Sequence, residues 1–221
     1  MTENINCLFI KLCRKGNLKE IKQFYFDNPT INVSENNECA FKWTCEKGHL
    51  EVAKWLLEVK PNINISADNE EAFKCACENR HLKVAKWLLE VKPNINISAS
   101  NDYVFKFVCS KGYLEVAKWL LEVKPDINIF VYNEEAFKWA CENGHLKVAK
   151  WLLEVKPDIN ISAGNNGAFY WSCIYGHLKV AKLLLQHKTQ KYYIFAKIKN
   201  YKKITYNKIT YDKKQQISKQ I

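Results

Sequence analysis

The chain has 221 residues and a formal charge of +11, from 34 Lys and Arg against 23 Asp and Glu. Hydrophobic residues make up 48% and charged residues 26%, the balance of a globular chain long enough for one sizeable core. Seven Gly and five Pro exclude a collagen-like or Gly/Pro-rich low-complexity chain. No apolar run approaches the roughly 18 residues of a membrane span.

In chain order, the opening Met1-Thr2-Glu3-Asn4 carries neither a basic n-region nor an apolar run, so no signal peptide is expected. Nine Cys without such a leader predict free thiols and a reducing compartment, the cytoplasm or nucleus. From there a 32-residue period governs the chain. Gly16, Gly48, Arg80, Gly112, Gly144 and Gly176 stand 32 residues apart. Seven positions before each lies a Phe (Phe9, Phe41, Phe73, Phe105, Phe137, Phe169), and three before each lies a Cys, from Cys13 to Cys173. All five prolines share one column, from Pro29 to Pro157.

Each unit reads as two helices and an extended turn. Phe73, Ala76 and Cys77 share one face of a short first helix over residues 70–79. Asn69 is its expected N-cap, with Asn37, Asn101, Asn133 and Asn165 repeating it. A second helix over Leu50–Val59 is apolar around most of its circumference, with Glu51, Lys54 and Glu58 as one polar edge. Pro61 ends it, and Ile63-Asn64-Ile65 alternates like a short strand. A pair this short cannot bury its own apolar face, so six of them are expected to stack into one all-α solenoid over residues 1–190. The first and last units depart from the pattern, as caps do: Lys11 stands where other units carry Trp, Cys or Phe.

The period lapses after His187. Residues 187–221 hold ten Lys and one Asp, so this stretch carries +9 of the +11 and leaves +2 for all the rest. Residues 191–221 therefore read as a separate basic, Tyr-interleaved tail, with Tyr192, Phe195 and Ile198 spaced for a short capping helix. Lys202, Lys203, Lys213 and Lys214 are its candidate anion contacts, to single-stranded nucleic acid or an acidic surface. Disorder, or AT-rich coding drift, accounts for the same composition. Only Arg14 and Arg80 are arginines, which disfavours base-specific nucleic-acid reading.

The stretch Asn143-Gly-His-Leu-Lys-Val-Ala-Lys-Trp-Leu-Leu and the closing Asp158-Ile-Asn160 resemble an ankyrin repeat. Six copies over about residues 4–190 carry the resemblance. It implies an all-α ankyrin-type fold, a non-enzymatic protein-binding role, no cofactor and a monomer. The aromatic, Asn/Lys/Ile-rich dialect is similar to ankyrin-repeat proteins of amoeba-infecting giant DNA viruses, which implies a host protein as partner. Three departures stand out. The period is 32, against the usual 33 or so. Glu71-Ala-Phe-Lys74 replaces the Thr-Pro-Leu-His opening, and Lys60, Lys92, Lys124 and Lys156 replace the Gly after the second helix.

Opposite the Phe/Cys stripe lies a second column: Trp43, Cys75, Phe107, Trp139 and Trp171. The resemblance puts this side on the concave groove, flanked by Lys42, Lys74, Lys106 and Lys138, an arrangement suited to a protein partner. Wedging between neighbouring inner helices is the competing reading. In the fingers, Phe130-Val131-Tyr132 replaces the Ser-Ala-x of three other units, which makes Phe130 and Tyr132 candidates for partner contact or for local packing. The Cys column reads as small buried groups and the Gly-His step as local turn bonding; neither has the spacing of a metal site. No phosphate loop, His-Glu-x-x-His or Gly-x-Ser-x-Gly is present, so no enzyme is expected. Three readings follow: a protein-binding scaffold, an anion binder acting through the tail, or a decayed paralogue with no selected partner.

Overall fold

The computed structural model describes residues 4–129 and 131–187, and the described chain is helical, with no strand among those residues. Twelve helices run as six pairs: α1 (Ile5–Lys15) and α2 (Leu18–Asp27), α3 (Glu35–Glu46) and α4 (Leu50–Val59), α5 (Ala67–Glu78) and α6 (Leu82–Val91), α7 (Ala99–Ser110) and α8 (Leu114–Val123), α9 (Val131–Glu142) and α10 (Leu146–Val155), α11 (Ala163–Ile174) and α12 (Leu178–Gln186). The chain divides into two compact units after Ser100. In the first, α1 packs on α3 and α3 on α5; in the second, α9 packs on α11.

The core is the one the periodicity predicts. Phe9, Phe41, Phe73, Phe105 and Phe137 are buried to within 2% of completely. Burying each contributes roughly 1.5–3 kcal/mol gross. The second helices fall on the predicted bounds, and in α4 Val52, Ala53, Trp55 and Leu56 are buried while Glu51 and Glu58 are exposed. A further aromatic column joins consecutive pairs. Trp55 meets Phe9 of the pair before it at 6.4 Å, Trp87 meets Phe41 at 6.3 Å and Trp151 meets Phe105 at 6.4 Å, all tilted. Each such ring pair adds about 0.5–1.5 kcal/mol beyond its buried area.

The turns before the first helices differ from expectation. Asn69 is not an N-cap. Asp68, Asn69 and Glu70 have φ of 54°, 59° and 65°, a left-handed run of three, and the right-handed helix begins after it. Asn36-Asn37-Glu38, Ser100-Asn101-Asp102 and Gly164-Asn165-Asn166 repeat the run. A non-Gly residue there costs roughly 1–2 kcal/mol, least for Asn and Asp, whose short polar side chains bond locally. The third residue compensates. Glu70 is buried and its Oε1 accepts the Asn96 amide at 3.2 Å; Glu38 does the same for Asn64 at 3.1 Å, and Glu134 for Asn160 at 3.3 Å. Asn6 Oδ1 serves the Asn32 amide in the first pair. The Asn column ties each turn to the next: Asn37 Nδ2 donates to Asp68 Oδ1, and Asn69 Nδ2 to Ser100 Oγ, both across 31 residues.

These bonds also explain why Ile63-Asn64-Ile65 is no strand. The Ile65 amide turns back to the Ile63 carbonyl and the Ser66 amide to Asn64 Oδ1, so local turns consume the groups a ladder needs.

The Gly-His step is likewise not local. His49 Nε2 meets the Arg14 carbonyl at 3.1 Å, in the preceding pair. A Cβ on Gly16 or Gly48 would fall 2.4 Å from the ring of His49 or His81, and Gly112 and Gly144 stand in the same relation to His145 and His177. All four glycines also have φ between +75° and +82°. Arg80 takes this column's left-handed backbone without being Gly, at φ 65°.

Candidate partner-binding surface

The column opposite the Phe stripe is half-buried throughout: Trp43, Cys75, Phe107, Trp139 and Trp171 are neither core nor free. In the first unit, Trp43 lies on α3 with the Arg14 guanidinium 4.1 Å and the Lys47 ammonium 5.8 Å from its ring centre. Such contacts hold a ring's orientation and contribute about 0.5–1 kcal/mol at exposed sites. Cys75 takes the equivalent place on α5. Its thiol donates to Glu71 Oε1 at 3.4 Å, and burial, with the Glu71 carboxylate beside it, pushes it up to about 12. It stays a protonated thiol at neutral pH, with no nucleophilic character.

In the second unit, Phe107 on α7 meets Tyr103 at 5.9 Å, tilted by 39°, and receives Lys111 at 5.4 Å. Trp171 on α11 is the centre of a larger group. Tyr170 meets it edge-on at 5.1 Å, and Tyr175 stacks on it at 5.6 Å and 18°. Tyr170 is 39% and Tyr175 52% exposed. Other units carry Lys, or Ile10 in the first, at the first of these positions and Lys or Asn at the second, so this aromatic group belongs to the sixth pair alone.

The flanking lysines sit lower than the rings. Lys42 pairs with Asp68, and its ammonium, by hydrogen bond and charge, holds that carboxyl below the usual carboxylate range. Lys74 pairs with Glu71 at 2.8 Å and Lys106 with Glu135 at 3.1 Å. Their side chains are only 14% and 12% exposed. Lys138 runs its stem along α11, where a Cβ on Gly167 would come 3.3 Å from Lys138 Cδ. The cations on the rings are thus Arg14, Lys47 and Lys111. Two of these were legible as spacing: Lys47 and Lys111 follow Trp43 and Phe107 by four residues, one helical turn. Arg14 comes from the neighbouring helix and had no such signal.

Phe130, the Tyr132 side chain, and Lys202, Lys203, Lys213 and Lys214 lie outside the described residues. Among the described residues no three His, Cys, Asp or Glu gather as a metal site, and no helix is long and apolar enough to cross a membrane. All nine cysteines are free thiols.

The family model for ankyrin repeats (3 copies) matches residues 9–101 and again 105–195. The chain belongs to the ankyrin-repeat family. Ankyrin repeats generally mediate protein–protein interaction, and the family is typically non-enzymatic. No curated protein matches the chain. Among solved structures it is similar to a chain in the complex of the Bd0816 predatory endopeptidase of Bdellovibrio bacteriovorus with immunity protein Bd3460. That match has 18% identity and a TM-score of 0.64, over 81% of this chain and 97% of that one. It is also similar to the human ASB11 ankyrin repeat domain, at 18% identity and a TM-score of 0.62, over 82% of this chain and 83% of that one. At such identity these likenesses concern the fold alone.

Proposed function

We propose that this protein is a non-enzymatic scaffold that holds one protein partner on the side of its first helices away from the second helices, together with the finger turns. The observation that carries this reading is the half-exposed aromatic column. A ring left half in solvent, with its orientation held by Arg14, Lys111 or stacked Tyr175, is the kind of pre-ordered anchor that dominates protein interfaces. The separate, buried Phe column supports reading these half-exposed rings as surface rather than as core filling. The resemblance to giant-virus proteins supports a host protein as the partner. Nine free thiols support action in the cytoplasm or nucleus, and the scaffold acts as a monomer.

The test is capture of partners from cell extract by the full chain and by Trp139→Ala with Trp171→Ala, with nuclease present. Loss of a captured protein from a variant of unchanged helical circular dichroism is the expected result. Loss of folding in the variant would return the column to the core. Capture abolished by nuclease, or by reversing Lys202 and Lys203 to Glu alone, would favour the basic tail, whose +9 charge is the observation behind that second reading.

A further inference from the structure

The first pair departs from the others at one set of positions. In the column of Leu8 the other pairs place Ala40, Ala72, Val104, Ala136 and Ala168, all buried; in the column of Leu12 they place Thr44, Ala76, Val108, Ala140 and Ser172, again all buried. Leu8 and Leu12 are both larger and half-exposed. With Phe24 of α2 they line a cleft of about 600 Å³.

Charge changes at the same place. Lys11 stands where four of the other pairs carry an aromatic ring and the third carries Cys75. Arg14 replaces Glu46, Glu78 and Glu142, a reversal of sign. Lys11, Arg14, Lys15 and Lys47 all line the cleft. Its only acid is Glu20, and that carboxylate accepts from Asn17 Nδ2 at 3.4 Å across the start of α2. The lining thus holds four cations against one acid, with Lys47 paired to Glu46 at 2.9 Å beside it. The helix dipole accounts for Arg14 and Lys15 in the last turn of α1. It does not account for an apolar floor larger than the Ala, Thr, Val and Ser of the other pairs.

We infer that this cleft docks an acidic amphipathic peptide segment of another protein, a deepening that rests on the scaffold reading above. Leu8 and Leu12 form one row on α1, Lys11 and Lys15 a second, each spaced by one helical turn. A helical ligand with Leu-type side chains at four-residue spacing and carboxylates beside them matches both rows at once. The last pair of a second copy of this chain does not: its residues 163–187 contain no Asp or Glu. Nor does the chain's own tail, with ten Lys and one Asp. A nucleic acid would need an open ring face, and Trp43 beside the cleft has its face taken by Arg14.

The experiment titrates full-length protein into a fluorescein-labelled helical peptide with Leu at four-residue spacing and Glu between, read by anisotropy at two salt concentrations. Lys11→Glu with Lys15→Glu is expected to weaken binding at least tenfold and to bind the Lys-for-Glu version of the peptide instead. Lys202→Glu with Lys203→Glu should stay within twofold of the parent. Lys11→Gln with Lys15→Gln, milder at these exposed positions, should give an intermediate loss and guards against misfolding of the reversal. Binding unchanged by both cleft variants overturns the inference, as does a labelled oligo-dT that binds more tightly through the same lysines. If a partner captured from extract needs Trp139 and Trp171 but ignores Lys11 and Lys15, the scaffold reading survives and the cleft does not.

Discussion

The second helices and the turns that precede the first helices are held by opposite means. Helices α4, α6, α8 and α10 share one text, Leu-x-Val-Ala-Lys-Trp-Leu-Leu-Glu-Val, and are fixed by non-directional burial. The turns are polar and strained. They persist because a buried carboxylate and an Asn amide bond them at long sequence separation. Burial tolerates small shifts, whereas a hydrogen bond to a buried acceptor does not. The comparison teaches that one repeat contains a robust half and a brittle half, and it can be broken at several points.

The largest effect belongs to burial. Phe73→Ala removes a ring that is 1% exposed and should cost about 3–5 kcal/mol in chemical denaturation. Next comes the close approach at the Gly-His step. Gly48→Ala combines φ of +76° with a Cβ 2.4 Å from His81, and should cost roughly 2–3 kcal/mol. Adding His81→Ala removes the overlap but not the backbone strain, so the double variant should recover only part of the loss. Third, Glu70→Ala leaves the Asn96 amide without its acceptor and a left-handed residue without compensation, for about 1–3 kcal/mol. Faster hydrogen exchange at Asn96 is the specific readout. Smaller, and of opposite sign, Arg80→Gly relieves a non-Gly residue at φ 65° and should stabilise by roughly 0.5–1 kcal/mol.

The smallest effect is in pH. Burial lowers His81 and His145 below the ordinary histidine value. A lowered folded pKa means the unfolded chain takes up the proton first. The stability these two rings contribute is therefore present above about pH 6.5 and is lost as pH falls through their folded values. The melting-temperature difference between the parent and His81→Asn with His145→Asn should shrink from pH 7.5 to 5. A constant difference would mean the rings do not titrate in that window.

The robust half was legible in the sequence. Apolar positions at helical spacing gave the bounds of Leu50–Val59, and the Phe and Cys columns marked the core. The brittle half was misread. Asn69 followed by two Glu is a proper N-terminal signal, but the structure puts Asn69 in left-handed backbone and sends its side chain to Ser100. That choice is made by a partner 31 residues away, and local propensity carries no information about it. The Trp55 and Trp87 rings were likewise hidden, because an amphipathic helix does not say which neighbour its ring will meet. Of the candidate surface, the ring column was visible as periodicity. Its cations were not, since Lys74 and Lys106 spend their charge on Glu71 and Glu135 while Arg14 arrives from another helix. The glutamate column is also uneven. Glu70 Oε2 receives the Ser66 hydroxyl, whereas Glu134 Oε2, in the pair with Phe130 in the Ser column, and Glu38 Oε2, in the pair with Ser34, are both buried without a partner among the described residues. Burial accordingly raises Glu134.

The carboxylate-to-amide bonds each span 26 residues, and the Asn bonds 31. These two lengths act as gauges on the chain. Gain or loss of one residue in a finger would put the wrong amide opposite the buried acid and the wrong turn opposite the Asn, in both neighbouring pairs. Change of length is thereby confined to whole pairs of helices, added or removed as blocks. Change of recognition is left to substitution at positions no gauge touches, which is where the first pair acquired Lys11 and Arg14 and the sixth acquired Tyr170 and Tyr175.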